Sequence, residues 1–180
     1  KDGNIVGVPG YTGYLAFWVN QEIMDEVGIE SIDTKEDFMK YMEAVSKDGR
    51  FGYGGSWEKT YASNEIAQFV NMFGGDYFDW TKEENKEAIQ FLHDLVANKE
   101  TPVDQIADKY DQMNPKINDG KYGCWFMWGL GTDYAKADML GADKIHMAMV
   151  PDFSGNGERA IFTDSWNYVL NSASKNKDAA

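Results

Sequence analysis

The sequence predicts an α/β fold, a mixed sheet flanked by helices, and three observations carry that prediction. Short extended runs rich in β-branched and aromatic residues alternate with longer segments whose apolar residues recur at three and four positions. No internal repeat or low-complexity tract interrupts the alternation. The chain has 180 residues, 43% hydrophobic and 14% aromatic, enough for one core that buries about 70% of the surface an unfolded chain exposes.

Each element follows from a local signal. Residues 5–8 and 14–19 read as two extended pieces, with Pro9-Gly10 and Gly13 turning the backbone between them. After Asn20, the spacing of Ile23, Met24 and Val27 predicts a short helix closed by Gly28, whose missing Cβ suits a left-handed cap. Thr34-x-x-Asp37 resembles a capping box and opens a second helix, with Phe38, Tyr41, Met42 and Val45 on one face. Residues 51–56 form a Gly-rich strand that leads into a loop over 57–61. Ile66, Phe69, Val70 and Phe73 mark a third helix stopped by Gly74-Gly75. Thr81-x-x-Glu84 reads as the cap of a fourth helix, its stripe formed by Ala88, Ile89, Leu92, Leu95 and Val96.

Beyond Pro102, residues 104–120 look helical, and Pro115 is expected to divide them into two short pieces. The continuous apolar run 122–128 predicts a strand covered on both faces, followed by a helix over 133–140 and strands at 145–150, 160–162 and 166–170. The expected core includes Leu15, Phe17, Ile66, Phe69, Leu92, Val96, Phe126, Met147 and Val169. From Ser174 the chain shows the polar start of a helix without its apolar face, so a piece of a longer protein is expected.

Charge narrows the function classes. Thirty acidic against 17 basic residues give a net charge of −13, which opposes the phosphate neutralisation that holds nucleic acid and disfavours an anionic membrane surface. No apolar run approaches the roughly 20 residues of a membrane-spanning helix. The single cysteine, Cys124, lies inside an apolar run, and with His93 and His146 it shows neither the spacing of a metal site nor the setting of a reactive thiol. Gly52-x-Gly54-Gly55 lacks the Lys and Ser or Thr of a phosphate loop. No cofactor and no metal is expected.

The informative surplus is aromatic. Tyr11 and Tyr14 flank a turn, Trp57 and Tyr61 flank a Gly-rich loop, and Trp128 and Trp166 stand at or near strand ends beside polar residues or glycine. Such rings offer a flat apolar face and a polar handle, the combination that stacks on a pyranose. The many acids leave open a two-carboxylate glycosidase, paired tyrosines leave open a cation or metal ligand, and a lectin-like module acting alone is a further alternative.

The ordered series Gly7-Val8-Pro9-Gly10-Tyr11-Thr12-Gly13-Tyr14-Leu15-Ala16-Phe17-Trp18-Val19-Asn20, Val27-Gly28-Ile29, Asn71-Met72-Phe73-Gly74-Gly75, Asp119-Gly120-Lys121 and Val150-Pro151 resembles the extracellular solute-binding proteins of bacterial ABC importers. More narrowly, it resembles the sugar-binding family that includes maltose-binding protein. The resemblance extends over essentially all 180 residues. It implies one lobe of a two-lobed periplasmic-binding-protein-like fold, residues 1–180 forming that α/β lobe and 1–10 and 163–180 the segments that cross to the missing first lobe.

It also implies a non-enzymatic receptor that closes its lobes on an oligosaccharide and delivers it to the transmembrane subunits of an ABC permease. The protein would work outside the cytoplasmic membrane, as an anchored lipoprotein or free in the periplasm. By family position the ligand-binding residues are Tyr11, Thr12, Tyr14, Tyr61, Asn64, Trp128, Asp164 and Trp166, with Trp57 added on its chemistry. The strand end is expected to run from Trp128 to Leu130, and Gly13 stands where maltose-binding protein places a glutamate.

Overall fold

The computed structural model describes residues 5–128 and 144–177. The helix expected over 133–140 and the strand end at Leu130 lie outside the described residues. Within them a five-stranded mixed sheet is built around one strand, β1 (Val8–Asn20). Its second half pairs antiparallel with β3 (Tyr122–Trp128) on one side and β4 (Ile145–Ala148) on the other. β2 (Phe51–Gly54) joins β3 in parallel. The first half of β1 leaves this sheet and pairs with β5 (Thr163–Tyr168) as a two-stranded ribbon.

Alternation along β1 supplies two cores, because successive side chains in a strand point to opposite faces. Leu15, Phe17 and Val19 enter the main core, where Cys124 and Phe126 of β3 also lie. Four helices cover this core: α1 (Gln21–Val27), α2 (Lys35–Val45), α3 (Ala62–Met72) and α4 (Glu83–Ala97). Ala16 and Trp18 enter the second core with Trp125, Met127 and Ile145, covered by Met113 and Ile117 of α5 (Tyr110–Asn118). The run 122–128 is therefore buried on both faces, apart from a half-buried Trp128.

The local signals act as expected at the first two helices. Gly28 closes α1 in the left-handed region at φ 71°, and Thr34 and Asp37 form a reciprocal capping box; the structure adds an N-cap that the sequence reading did not single out, the Asn20 side chain accepting from the Ile23 N–H.

Other expectations are corrected. Residues 8–20 are one continuous strand rather than two pieces around a turn. Pro9 and Gly10 are absorbed by a register shift between Pro9 and Tyr11 on a ribbon paired from one side, where a missing N–H is tolerated. The absent side chain of Gly10 makes room for the Tyr168 ring, since a Cβ there would lie 2.7 Å from it.

Thr81 does not cap α4. Its hydroxyl donates to Asp79 at 2.6 Å, and the capping position falls on Lys82. The buried face of α4 is Asn85, Ala88, Phe91, Leu92 and Leu95, which leaves Ile89 exposed and Val96 half-buried. The segment after Pro102 does divide in two, a 3-10 turn (Val103–Ala107) and α5, but the break falls at Asp108 and Lys109. Pro115 sits inside α5 on an exposed position, where water can serve the carbonyl that loses its donor.

Residues 160–162 are not a strand, although the Leu15 N–H donates to the Phe162 carbonyl at 2.9 Å. Of the nine expected core residues, Ile66 and Val96 are half-buried, Met147 is 47% exposed and Val169 is 71% exposed. The last two lie on the outer strand β4 and just beyond β5, where no helix among the described residues covers them.

Candidate functional site

The point where β1 passes from ribbon to sheet carries the site. In the ribbon Tyr11 lies opposite Trp166 and Gly13 opposite Asp164, so these four positions share one face. The Tyr11 and Trp166 rings stack, with centroids 6.1 Å apart and planes 15° from parallel, and both residues remain 60% exposed. One step into the sheet, Leu15 pairs with Trp128. The Trp128 ring lies over Gly13, where a Cβ would sit 3.3 Å from it, and is braced by Phe162 at 6.1 Å. Glycine at 13 thus lets the indole settle onto the strand.

The opposite wall comes from the start of α3. Tyr61 occupies the N-cap position and Asn64 follows within the first turn, its N–H donating to the Tyr61 carbonyl at 2.9 Å. The Tyr61 ring packs against Tyr110 of α5 at 4.8 Å.

Between the walls is a cavity of about 460 Å³, lined by Tyr11, Thr12, Gly13, Tyr14, Thr60, Tyr61, Asn64, Trp128, Asp164 and Trp166. Its surface is mainly aromatic, and among the described residues its one formal charge is Asp164. No hydrogen bond or ion pair holds the Asp164 carboxylate among the described residues. Tyr14 contributes to the lining while directing its hydroxyl toward Met147 Sδ at 3.9 Å. Chemically, the cavity offers flat apolar faces, neutral hydroxyl and amide groups, and a single free carboxylate. That combination stacks on the C–H face of a polyol ring and accepts hydrogen bonds from its hydroxyls.

Of the sequence-derived residues, the structure brings together Tyr11, Thr12, Tyr14, Tyr61, Asn64, Trp128, Asp164 and Trp166. Trp57 stands outside the lining. Its ring packs against the main core and its indole N–H donates to Glu65 at 3.0 Å. Sequence reasoning missed Thr60; its only signal was a hydroxyl beside Tyr61 in the same loop.

The sequence profile of the bacterial extracellular solute-binding proteins matches residues 1–180. The chain belongs to that family. An arabinooligosaccharide-binding protein of Halalkalibacterium halodurans is 34% identical over 195 residues, covering all of this chain and 42% of the relative. Among solved structures, a maltose-bound protein of T. maritima superposes with a TM-score of 0.82 at 18% identity, covering 96% of this chain and 46% of that one. A sugar transporter protein of Arthrobacter chlorophenolicus with bound laminaribiose superposes with a TM-score of 0.83 at 16% identity, over 96% and 45%. The family member described here thus spans less than half the length of the relatives it matches. At these identities the structural likeness establishes the fold.

Proposed function

We propose that this chain is one lobe of a two-lobed sugar receptor, residues 1–180 forming the lobe and 1–10 and 163–180 the crossings to the other. In this reading the cavity at Trp128, Asp164 and Trp166 holds part of a neutral sugar or oligosaccharide, and the second lobe closes over it. The observation that carries the reading is the convergence of stacking rings and one unpaired carboxylate on a single cavity.

The ribbon supports the two-lobe arrangement. Its strands end side by side at Val8 and Tyr168, and the apolar side chains around them, with Ile5 89% and Tyr168 76% exposed, present a surface suited to cover by further protein. The sugars named for its relative and its structural neighbours support the ligand class. The receptor releases its ligand unchanged to the membrane subunits of an ABC importer and works outside the cytoplasmic membrane, held there as a lipoprotein or free in the periplasm. A glycosidase needs a pair of carboxylates across the bond, and among the described residues the lining holds one. The same lining holds Tyr11, Tyr14 and Tyr61 beside Asp164, so the cation alternative is separated from a sugar by titration.

Titration calorimetry of the full-length protein tests this, with arabinotriose, maltotriose, laminaribiose, mannitol, spermidine and ferric citrate as ligands. A sugar or sugar alcohol should bind with micromolar affinity or better and be recovered unaltered. The isolated lobe should bind the same ligand at least ~100-fold more weakly, since losing ~3 kcal/mol of contacts has that effect. Tight binding of spermidine or iron alone, or cleavage of an oligosaccharide, would overturn the proposal.

A further inference from the structure

One fully buried ionisable group beside the cavity touches none of its space. Glu65 of α3 follows Asn64 directly and has no exposed surface. Its carboxylate accepts three hydrogen bonds: from the Tyr53 hydroxyl, from the Ser56 backbone N–H at 2.7 Å and from Trp57 Nε1 at 3.0 Å. These donors belong to β2 and the loop that leaves it, so one side chain ties the start of α3 to the sheet.

The loop is independently docked on the 3-10 turn and the residue after it. The Trp57 N–H donates to the Gln105 carbonyl at 3.1 Å and the Glu58 N–H to the Asp108 carbonyl at 3.2 Å. The N-terminus of α3 has no side-chain cap. The Glu65 contacts instead anchor the first turn of α3 to the strand and loop before it, where Tyr61 and Asn64 face the cavity. The packing is close: a Cβ on Gly55 would lie 2.6 Å from Trp57 Nε1 and 2.7 Å from Glu65 Oε2. Burial raises the Glu65 carboxyl to about 7 against the lowering effect of its three donors.

We propose that Glu65 is a positioning residue for ligand binding, holding Tyr61 and Asn64 in the cavity wall through the hydrogen bonds its carboxyl group makes with Tyr53, Ser56 and Trp57. The inference rests on the cavity being the sugar site. It has a chemical signature because the three donors are not equivalent. The Tyr53 hydroxyl can rotate and accept, whereas the Ser56 N–H and the Trp57 indole can only donate. Glutamine at 65 keeps one acceptor oxygen for Ser56 and turns an NH2 group on Trp57, donor against donor. Replacing Trp57 by phenylalanine removes that conflict without touching the cavity lining.

The test is made on the full-length protein with Glu65→Gln, Trp57→Phe and the double variant. It measures affinity for the tightest-binding sugar of the panel above, and hydrogen exchange over residues 57–64. Glu65→Gln should weaken binding about tenfold, the typical effect of a buried polar group left without its partner, and should speed exchange in 57–64. Trp57→Phe removes one of the three hydrogen bonds without leaving donor against donor, so it should weaken binding less than Glu65→Gln does, and the double variant should return to the Trp57→Phe level in both readouts.

Binding and exchange unchanged in Glu65→Gln, or an equal loss in both Trp57 backgrounds, would overturn the proposal. If Glu65→Gln does not fold, the double variant must, and its failure to fold also overturns the claim. If no sugar binds the wild-type protein, the functional reading falls, and the exchange data still decide whether Glu65 orders the segment.

Discussion

Tyr11 and Trp166 face each other across the β1–β5 ribbon with their rings stacked at 6.1 Å, although each is 60% exposed. An exposed aromatic pair contributes little to the stability of the fold that displays it. The same pair forms a ready platform for a ring-shaped ligand.

Trp166→Ala should therefore weaken sugar binding by ten- to 100-fold, since a stacked ring at a binding site commonly carries ~1.4 to ~3 kcal/mol. The melting temperature should stay within about 2 °C of wild type, because exposed substitutions usually change stability by less than about 0.5 kcal/mol. Calorimetry and thermal unfolding on the same samples check both halves.

Asp164 accepts no hydrogen bond among the described residues while it lines the cavity. Asp164→Asn should weaken binding of a neutral sugar about tenfold, because a hydrogen bond to a charged acceptor contributes ~1.5 to ~3 kcal/mol and an amide oxygen contributes less. The substitution should leave unfolding by urea unchanged. A loss of stability equal to the loss of binding would show that Asp164 serves the fold instead.

Phe69 is the aromatic hub of the main core, 5.6 Å from both Tyr53 and Phe126 and 5.8 Å from Phe91. Phe69→Ala should cost ~3 to ~5 kcal/mol in urea unfolding, the usual range for emptying a buried phenylalanine site.

Glu65 also predicts a pH dependence. Its carboxyl is raised by burial to about 7 in the folded protein, from about 4.3 in an unfolded chain. Between those values the native state binds the extra proton, so this group's contribution to stability is fully present below about pH 4.3 and is lost as pH rises through about 7. At about 1.4 kcal/mol per pKa unit the swing is on the order of 4 kcal/mol. Urea midpoints from pH 4 to 8 should fall more steeply for wild type than for Glu65→Gln. Identical slopes would remove Glu65 as the source.

Much of the fold is legible locally. Thr34 with Asp37, and Gly28 with the Met24 carbonyl, announce helix ends through hydrogen bonds that span three or four residues, so the sequence shows both partners at once. The Thr81 motif misleads because Asp79, two residues back, competes for the same hydroxyl. Met147 and Val169 mislead for another reason: an apolar residue in a strand is buried only if something covers its face, and coverage is settled by the whole chain.

At the site, the residue types were legible and their company was not. Loop aromatics and a nearby acid point to a sugar from chemistry alone, and family resemblance selects Tyr11, Tyr61, Asn64, Trp128, Asp164 and Trp166. Trp57 and Tyr61 look alike in sequence, four residues apart in one loop. Only the fold turns Tyr61 into the cavity and ties Trp57 to Glu65 against the core.

By itself the sequence determined the α/β class, the main amphipathic faces and the family, because period, caps and motif order are properties of neighbouring residues. The tertiary structure decided that residues 8–20 form one strand shared between a ribbon and a sheet, and that residues from 11 to 166 meet around one cavity. Strand pairing joins residues distant in sequence through backbone hydrogen bonds that every residue type can make, so their register follows from how both faces of the sheet are covered.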